Sequence, residues 1–288
     1  MAVNTVKTKN ASKLDILRSL NAPFAVDQYS TLNEKYTSTV TAEAVLNTAP
    51  TSGGYPITQY LIIGNGGTSN VIGAGNNTLV NLLEHNVTDA VLFSMIPWIV
   101  VPVNNDISPT LRANYRLRVI ITVNSVQYIA YYVKVLTGVS SIAVQEQIVT
   151  LSNGTVTSTV TYTPNPSSMT PVAVNLNNNT TNTADGSHFV TQAVISIPLS
   201  STDIAGIVNA CTIIYQNPQY AIISEIGIVS GFDTSVTTSL GVTAPITYTG
   251  IQAAQVNAFA GTQYYLQTNP QGITLNYALS SSSPLPSS

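Results

Sequence analysis

Several segments of this chain alternate apolar and polar residues with the period of two of a strand, and only short ones show a helical spacing. The clearest signal lies mid-chain. Tyr115 to Val123 and Val126 to Leu136 are two long β-rich runs separated only by Asn124-Ser125, which predicts a tight hairpin. In the first run Leu117, Val119, Ile121 and Val123 alternate with Arg116, Arg118 and Thr122, giving one apolar face and one mixed face. In the second, Ile129, Tyr131, Val133 and Val135 share a face, with Tyr128, Tyr132 and Lys134 opposite. Apolar bulk on both sides predicts burial on both.

Asn153-Gly154 marks a second hairpin, between Gln147–Ser152 and Thr155–Thr163. Its Val156, Ser158, Val160 and Tyr162 alternation has few large side chains, so it is expected to project or to pair with a partner. Tyr60 to Ile63 is a short strand running into Gly64-Asn65-Gly66-Gly67. His188 to Leu199 is another, and Tyr220 to Ser230 is apolar enough for a central strand. Short strands and turns are expected from there to Leu279.

Helical signals are brief. Ser12 can cap a helix over 12–20, with Leu14, Leu17 and Leu20 on one face. Thr88 can cap Ala90 to Phe93 ahead of Pro97, Ser108-Pro109 opens a turn, and Thr202 can cap a helix to about Ile213. The pattern predicts an all-β, mainly antiparallel, sandwich-like fold with a few short helices. Residues 1–54 read as an N-terminal arm holding the first helix, with a Thr-rich extended piece at 36–41. Residues 55–279 read as the body, the Pro- and Asn-rich 164–187 as a long loop, and 280–288 as a flexible tail.

Composition changes this picture in one respect. Hydrophobic residues make up 44%, enough for a core, but charged residues only 7%, against roughly 25% in ordinary soluble domains. Polar surface must come from Thr, Ser, Asn and Gln, which are cheaper to desolvate than ions and so suit burial against a partner. No Lys or Arg follows Lys134, and phosphate neutralisation needs clustered cations, so nucleic acid is not an expected partner. The tract Lys7, Lys9, Lys13, Arg18 reads as solvated or partner-facing. The N-terminus lacks a signal-like apolar run, and no membrane span is expected.

Candidate chemistry is sparse. Cys211 lies in an apolar stretch and reads as a buried, inert thiol. His85 and His188 each stand without neighbours at a metal-ligand spacing. Gly64 to Gly67 lacks the Gly-Lys-Ser/Thr ending of a phosphate loop and reads as a tight turn. Glu225 is a lone acid inside an apolar strand. It is expected on the outer face or paired with Arg116 or Arg118, and Asp106 and Asp233 have no catalytic context. The tyrosines, with Tyr128, Tyr131 and Tyr132 clustered and Tyr264-Tyr265 adjacent, read as contact residues for other proteins. No catalytic, cofactor-binding or metal residue is assigned, and no enzyme activity, small-molecule substrate or cofactor is expected.

YLIIGNGG (60–67), NYRLRVIITVNSVQYIAYYVKVL (114–136) and YAIISEIGIVSG (220–231) resemble blocks of an uncharacterised family of virion structural proteins of tailed, mostly contractile-tailed bacteriophages. More remotely, the layout is similar to the baseplate wedge proteins of T-even-type phages. The resemblance implies a structural subunit of the virion, made in the host cytoplasm, with copies of itself and other virion proteins as partners. The tail or baseplate is the first expected location. The neck or collar, the capsid surface and a receptor- or glycan-binding adhesin are the alternatives.

Overall fold

The computed structural model describes residues 5–26, 32, 50, 53–72, 78–139, 142–163, 186–239, 242, 244–268 and 271–285. The all-β, mainly antiparallel class expected from the sequence is the class observed, with a few short helices. The chain divides into two compact units. Unit 1 comprises residues 1–137 and 199–273, and unit 2 residues 138–198 and 274–288.

Unit 1 is built on one large antiparallel sheet. Its strands are β1 (Thr5–Lys7), β2 (Ile57–Gly64), β5 (Met95–Ile96), β6 (Ile99–Pro102), β7 (Tyr115–Val123), β8 (Val126–Val135), β12 (Ile222–Thr238) and β13 (Ile246–Tyr265). The order β1-β13-β12-β2-β8 runs across it, and β8 pairs with β7 along one side and with β2 and then β6 along the other. The hairpin at Asn124-Ser125 forms as expected. Both turn residues sit at positive φ (49° and 67°), the left-handed pair that a two-residue hairpin requires. A separate small hairpin pairs β3 (Thr68–Ile72) with β4 (Thr78–Leu82).

The stretch after Tyr220 departs from expectation. Instead of short strands broken by turns, β12 and β13 form one long ribbon, 17 residues against 20. Ala253, Ala254, Ala258, Ala260 and Gly261 hide β13 from propensity reasoning, since small residues are weak strand formers. Their burial between other elements overrides that preference. The ribbon's register shifts three times, between Ile223 and Glu225, Ile228 and Val229, and Ser230 and Phe232. Each shift places an extra residue in β13, which bends a strand and increases its twist.

The helices also settle slightly differently. α1 spans Lys9–Leu20 and is capped by the Thr8 side chain, not Ser12; Leu14 is buried, while Ile16 and Leu20 are exposed. α2 (Pro109–Arg112) starts at Ser108 as expected. α3 spans Ser201–Tyr215, with its cap at Ser200 in a reciprocal capping box with Asp203. No helix forms over 88–93. The unit 1 core includes Trp98, Tyr60, Tyr131, Phe259, Ile62 and Leu117, all fully buried. Tyr131 and Tyr132 are therefore core residues and not surface contacts, whereas Tyr265 and Tyr220 are about half exposed.

Unit 2 is a four-stranded antiparallel sheet of order β10-β9-β11-β14. Its strands are β9 (Gln145–Ser152), β10 (Thr155–Thr161), β11 (Gly186–Leu199) and β14 (Ile273–Pro284). The Asn153-Gly154 hairpin forms as expected, again with both turn residues at positive φ. β14 continues to Pro284, so residues 280–284 are strand and not tail. His188, Ile195, Ile197, Leu275 and Tyr277 are buried. The Thr-rich piece at 36–41 and residues 164–185 of the expected loop lie outside the described residues; 186–187 already belong to β11.

Candidate functional site

Glu225 lies in β12 directly opposite Gly64 of β2, and its side chain enters the space that a Cβ at Gly64 would occupy. It is fully buried, on neither the outer face nor an arginine. The carboxylate is instead enclosed by main-chain donors. Oε1 accepts from the Gly66 N–H (3.1 Å) and the Ser94 N–H (2.9 Å), and Oε2 accepts from the Phe93 N–H (2.9 Å). The Gly67 N–H donates to the hydroxyl of adjacent Ser224 at 2.8 Å. The Gly64–Gly67 turn thus supplies one donor of this cradle, Gly66, and Phe93 and Ser94 supply the other two, while the anion they hold comes from the same chain. A Cβ at Gly64 would sit 2.5 Å from the Ser94 carbonyl oxygen, one at Gly66 2.7 Å from the Ser94 nitrogen, and one at Gly67 2.6 Å from the Ser224 oxygen. Those glycines are required for close approach of backbone to backbone.

The same N–H groups explain the missing helix. Phe93 and Ser94 direct their amides to Glu225, so they cannot serve a helix running through 88–93. The segment is organised by local side-chain caps instead. The Asn86 N–H donates to Asp89, and the Asn86 side chain accepts from the Thr88 N–H.

His85 completes the cluster. Its Nε2 meets Glu225 Oε2 at 2.9 Å and its Nδ1 meets Asp89 Oδ2 at 3.0 Å. The ring is stacked between Phe93 (4.2 Å) and Phe259 (4.0 Å). Burial alone would discourage protonation, but the hydrogen bonds to Glu225 and Asp89 outweigh it and raise the imidazole above its ordinary 6.5. A doubly protonated ring donates to both acids. Contrary to the sequence reading, His85 does not stand alone. Asp89, four residues away, went unassigned; an acid at that distance from a histidine was the available signal.

Chemically, this cluster is closed. Its two central side chains are 3% and 1% exposed, and Glu225 has both oxygens engaged. No group of three or more His, Cys, Asp or Glu is gathered to hold a metal among the described residues. His188, in unit 2, is buried away from any such group, with its Nε2 unbonded. Burial pushes the Cys211 thiol up to about 12, which keeps it protonated.

Three further ion-pair sets in unit 1 place at least one partner inside the fold, whereas Lys7 and Asp15 pair on the surface. Arg116 forks onto Asp233 (2.8 and 2.9 Å), which also accepts from the Tyr60 hydroxyl at 2.7 Å. Burial opposes ionisation of Asp233, but Arg116 and Tyr60 hold its carboxyl below the usual range. Arg118 and Arg112 share Asp106 (3.1 and 3.3 Å) with the Tyr131 hydroxyl. Lys134 pairs with Asp203 beneath the Trp98 ring, and Asp203 is again held low despite its burial. Arg116 and Arg118 thus pair with Asp233 and Asp106, not with Glu225 as expected from sequence.

Each of the three sequence blocks supplies part of this framework. The first gives Gly66, the third Glu225, and the hairpin Arg116, Arg118 and Lys134. A family model matches the chain over residues 1–288. The chain belongs to DUF7208, a family of unknown function. No curated protein and no solved structure matches it. Within this DUF7208 chain the described geometry comprises a sealed His–carboxylate cluster and a set of ion pairs. Among its described residues no helix is long and apolar enough to cross a membrane.

Proposed function

We propose that this chain is a structural subunit of a tailed-bacteriophage virion, acting through protein–protein assembly and not through catalysis. One observation carries the reading. Part of the chain's scarce charge is turned inward: Arg116, Arg118, Asp203 and Glu225 are buried with His85, each in an ion pair or charged hydrogen bond, while Lys7, Lys13, Asp15 and Glu146 remain exposed. Contact surfaces made from Thr, Ser, Val and Tyr are cheap to desolvate, which favours lasting contact with other subunits. The three blocks that resemble virion structural proteins support the particle as the setting, with the tail or baseplate as the favoured position.

The test is composition of purified particles. Tryptic mass spectrometry of intact virions, followed by tracing this chain in a cryo-electron density map, should find it in stoichiometric amount in the tail or baseplate. Recovery with the neck or emptied heads would move it to the collar or capsid surface. Glycan binding by the isolated chain would favour the adhesin reading. Absence from every particle would overturn the proposal.

A further inference from the structure

We infer that β10 is a self-pairing edge, joining two copies of this chain antiparallel about a two-fold axis through Val160. β10 ends its sheet, and all seven of its residues are exposed. The strand TVTSTVT carries no charge and no proline, the devices that usually blunt an edge. A bulge between Val156 and Ser158, where the Thr157 hydroxyl donates to the Thr150 carbonyl, interrupts the regular stretch on one side. The regular part therefore begins at Ser158.

The direction of the free main-chain groups fixes the register. The Tyr162 N–H donates to the Glu146 carbonyl of β9 at 2.8 Å. In an antiparallel ladder alternate residues face the same neighbour, so Val160 and Ser158 also face β9, while Thr159 and Thr161 turn their N–H and C=O groups outward. These two residues are symmetric about Val160. In a two-fold pair, Thr159 of one copy exchanges both main-chain bonds with Thr161 of the second, and the reverse exchange follows by symmetry. Val160 then faces its own counterpart in a non-hydrogen-bonded pair, where side chains are closest. Through the existing registers, Val160 opposes Ile148 and Ile148 opposes Phe189, so the joined sheets carry one apolar row across the axis. No like charges meet there.

Five residues a side cover far less than the ~1,600 Å² of a stable standard interface. Pairing is therefore weak for free chains and takes hold where copies are kept close. This deepens the assembly reading and rests on it only for that crowding. The test uses the purified full chain, so its failure is distinct from absence from particles. Val160→Cys and Val156→Cys, at residues of matching exposure (58% and 57%), are oxidised under mild conditions, with the buried Cys211 inert. Val160→Cys is expected to give at least about tenfold more disulfide-linked dimer than Val156→Cys. Adding Thr159→Pro, which removes an outward N–H and none facing β9, should abolish that yield without changing the far-ultraviolet circular dichroism. Equal yields from the two cysteines, no dimer from Val160→Cys, or indifference to Thr159→Pro would each overturn the inference.

Discussion

Unit 1 contains every lysine and arginine of the chain, whereas the described part of unit 2 has a single ionic side chain, Glu146. The first unit uses its ions as internal fasteners: β7 to β12 through Arg116 and Asp233, β8 to α3 through Lys134 and Asp203, and β12 to two loops through Glu225. The second has a sheet whose outer strand is wholly exposed and built from Thr, Val and Ser. The difference teaches where charge matters in an ion-poor protein. Buried pairs fix which strand meets which, while an uncharged edge stays available for another chain.

The comparison breaks most visibly at Glu225. Replacing it with Ala leaves three main-chain donors and the His85 ring without their acceptor, and should cost about 3–5 kcal/mol. Chemical denaturation read by circular dichroism measures this, and a loss below about 1 kcal/mol would show that the cradle is not a structural lock. A smaller effect comes from pH. His85 is raised in the folded state, so its contribution is fully present below the ordinary value of 6.5 and is lost as pH rises through the raised value. Denaturation midpoints should fall across that window in the parent chain and stay flatter in His85→Gln, which cannot titrate. The smallest effect belongs to unit 2. Val156→Thr on the exposed strand should shift stability by no more than about 0.5 kcal/mol, and a larger loss would mean that β10 is already covered.

Features set by neighbouring residues were legible in the sequence. Asn124-Ser125 and Asn153-Gly154 announced their hairpins because turn conformation and strand alternation are local. The central position of β12 followed from its predominantly apolar first half, and the buried, inert state of Cys211 from its surroundings. The candidate site was not legible, because His85 and Glu225 are 140 residues apart and neither carries a local sign of the other. The helix expected over 88–93 failed for the same reason, since its amides answer to a distant carboxylate. β13 was missed because alanine and glycine resemble turns until buried neighbours compensate for their weak strand preference.

The cradle's loop and its anion lie 159 residues apart, which has a consequence during synthesis. A ribosome releases the Gly64–Gly67 turn and the Phe93–Ser94 amides well before residue 225 emerges. Until then Glu225 is not there to accept from these donors, and the sheet has neither β12 nor β13 beyond β2. Chains ended before residue 225 lack the acceptor for these donors, and limited proteolysis is expected to cut them faster than the full chain.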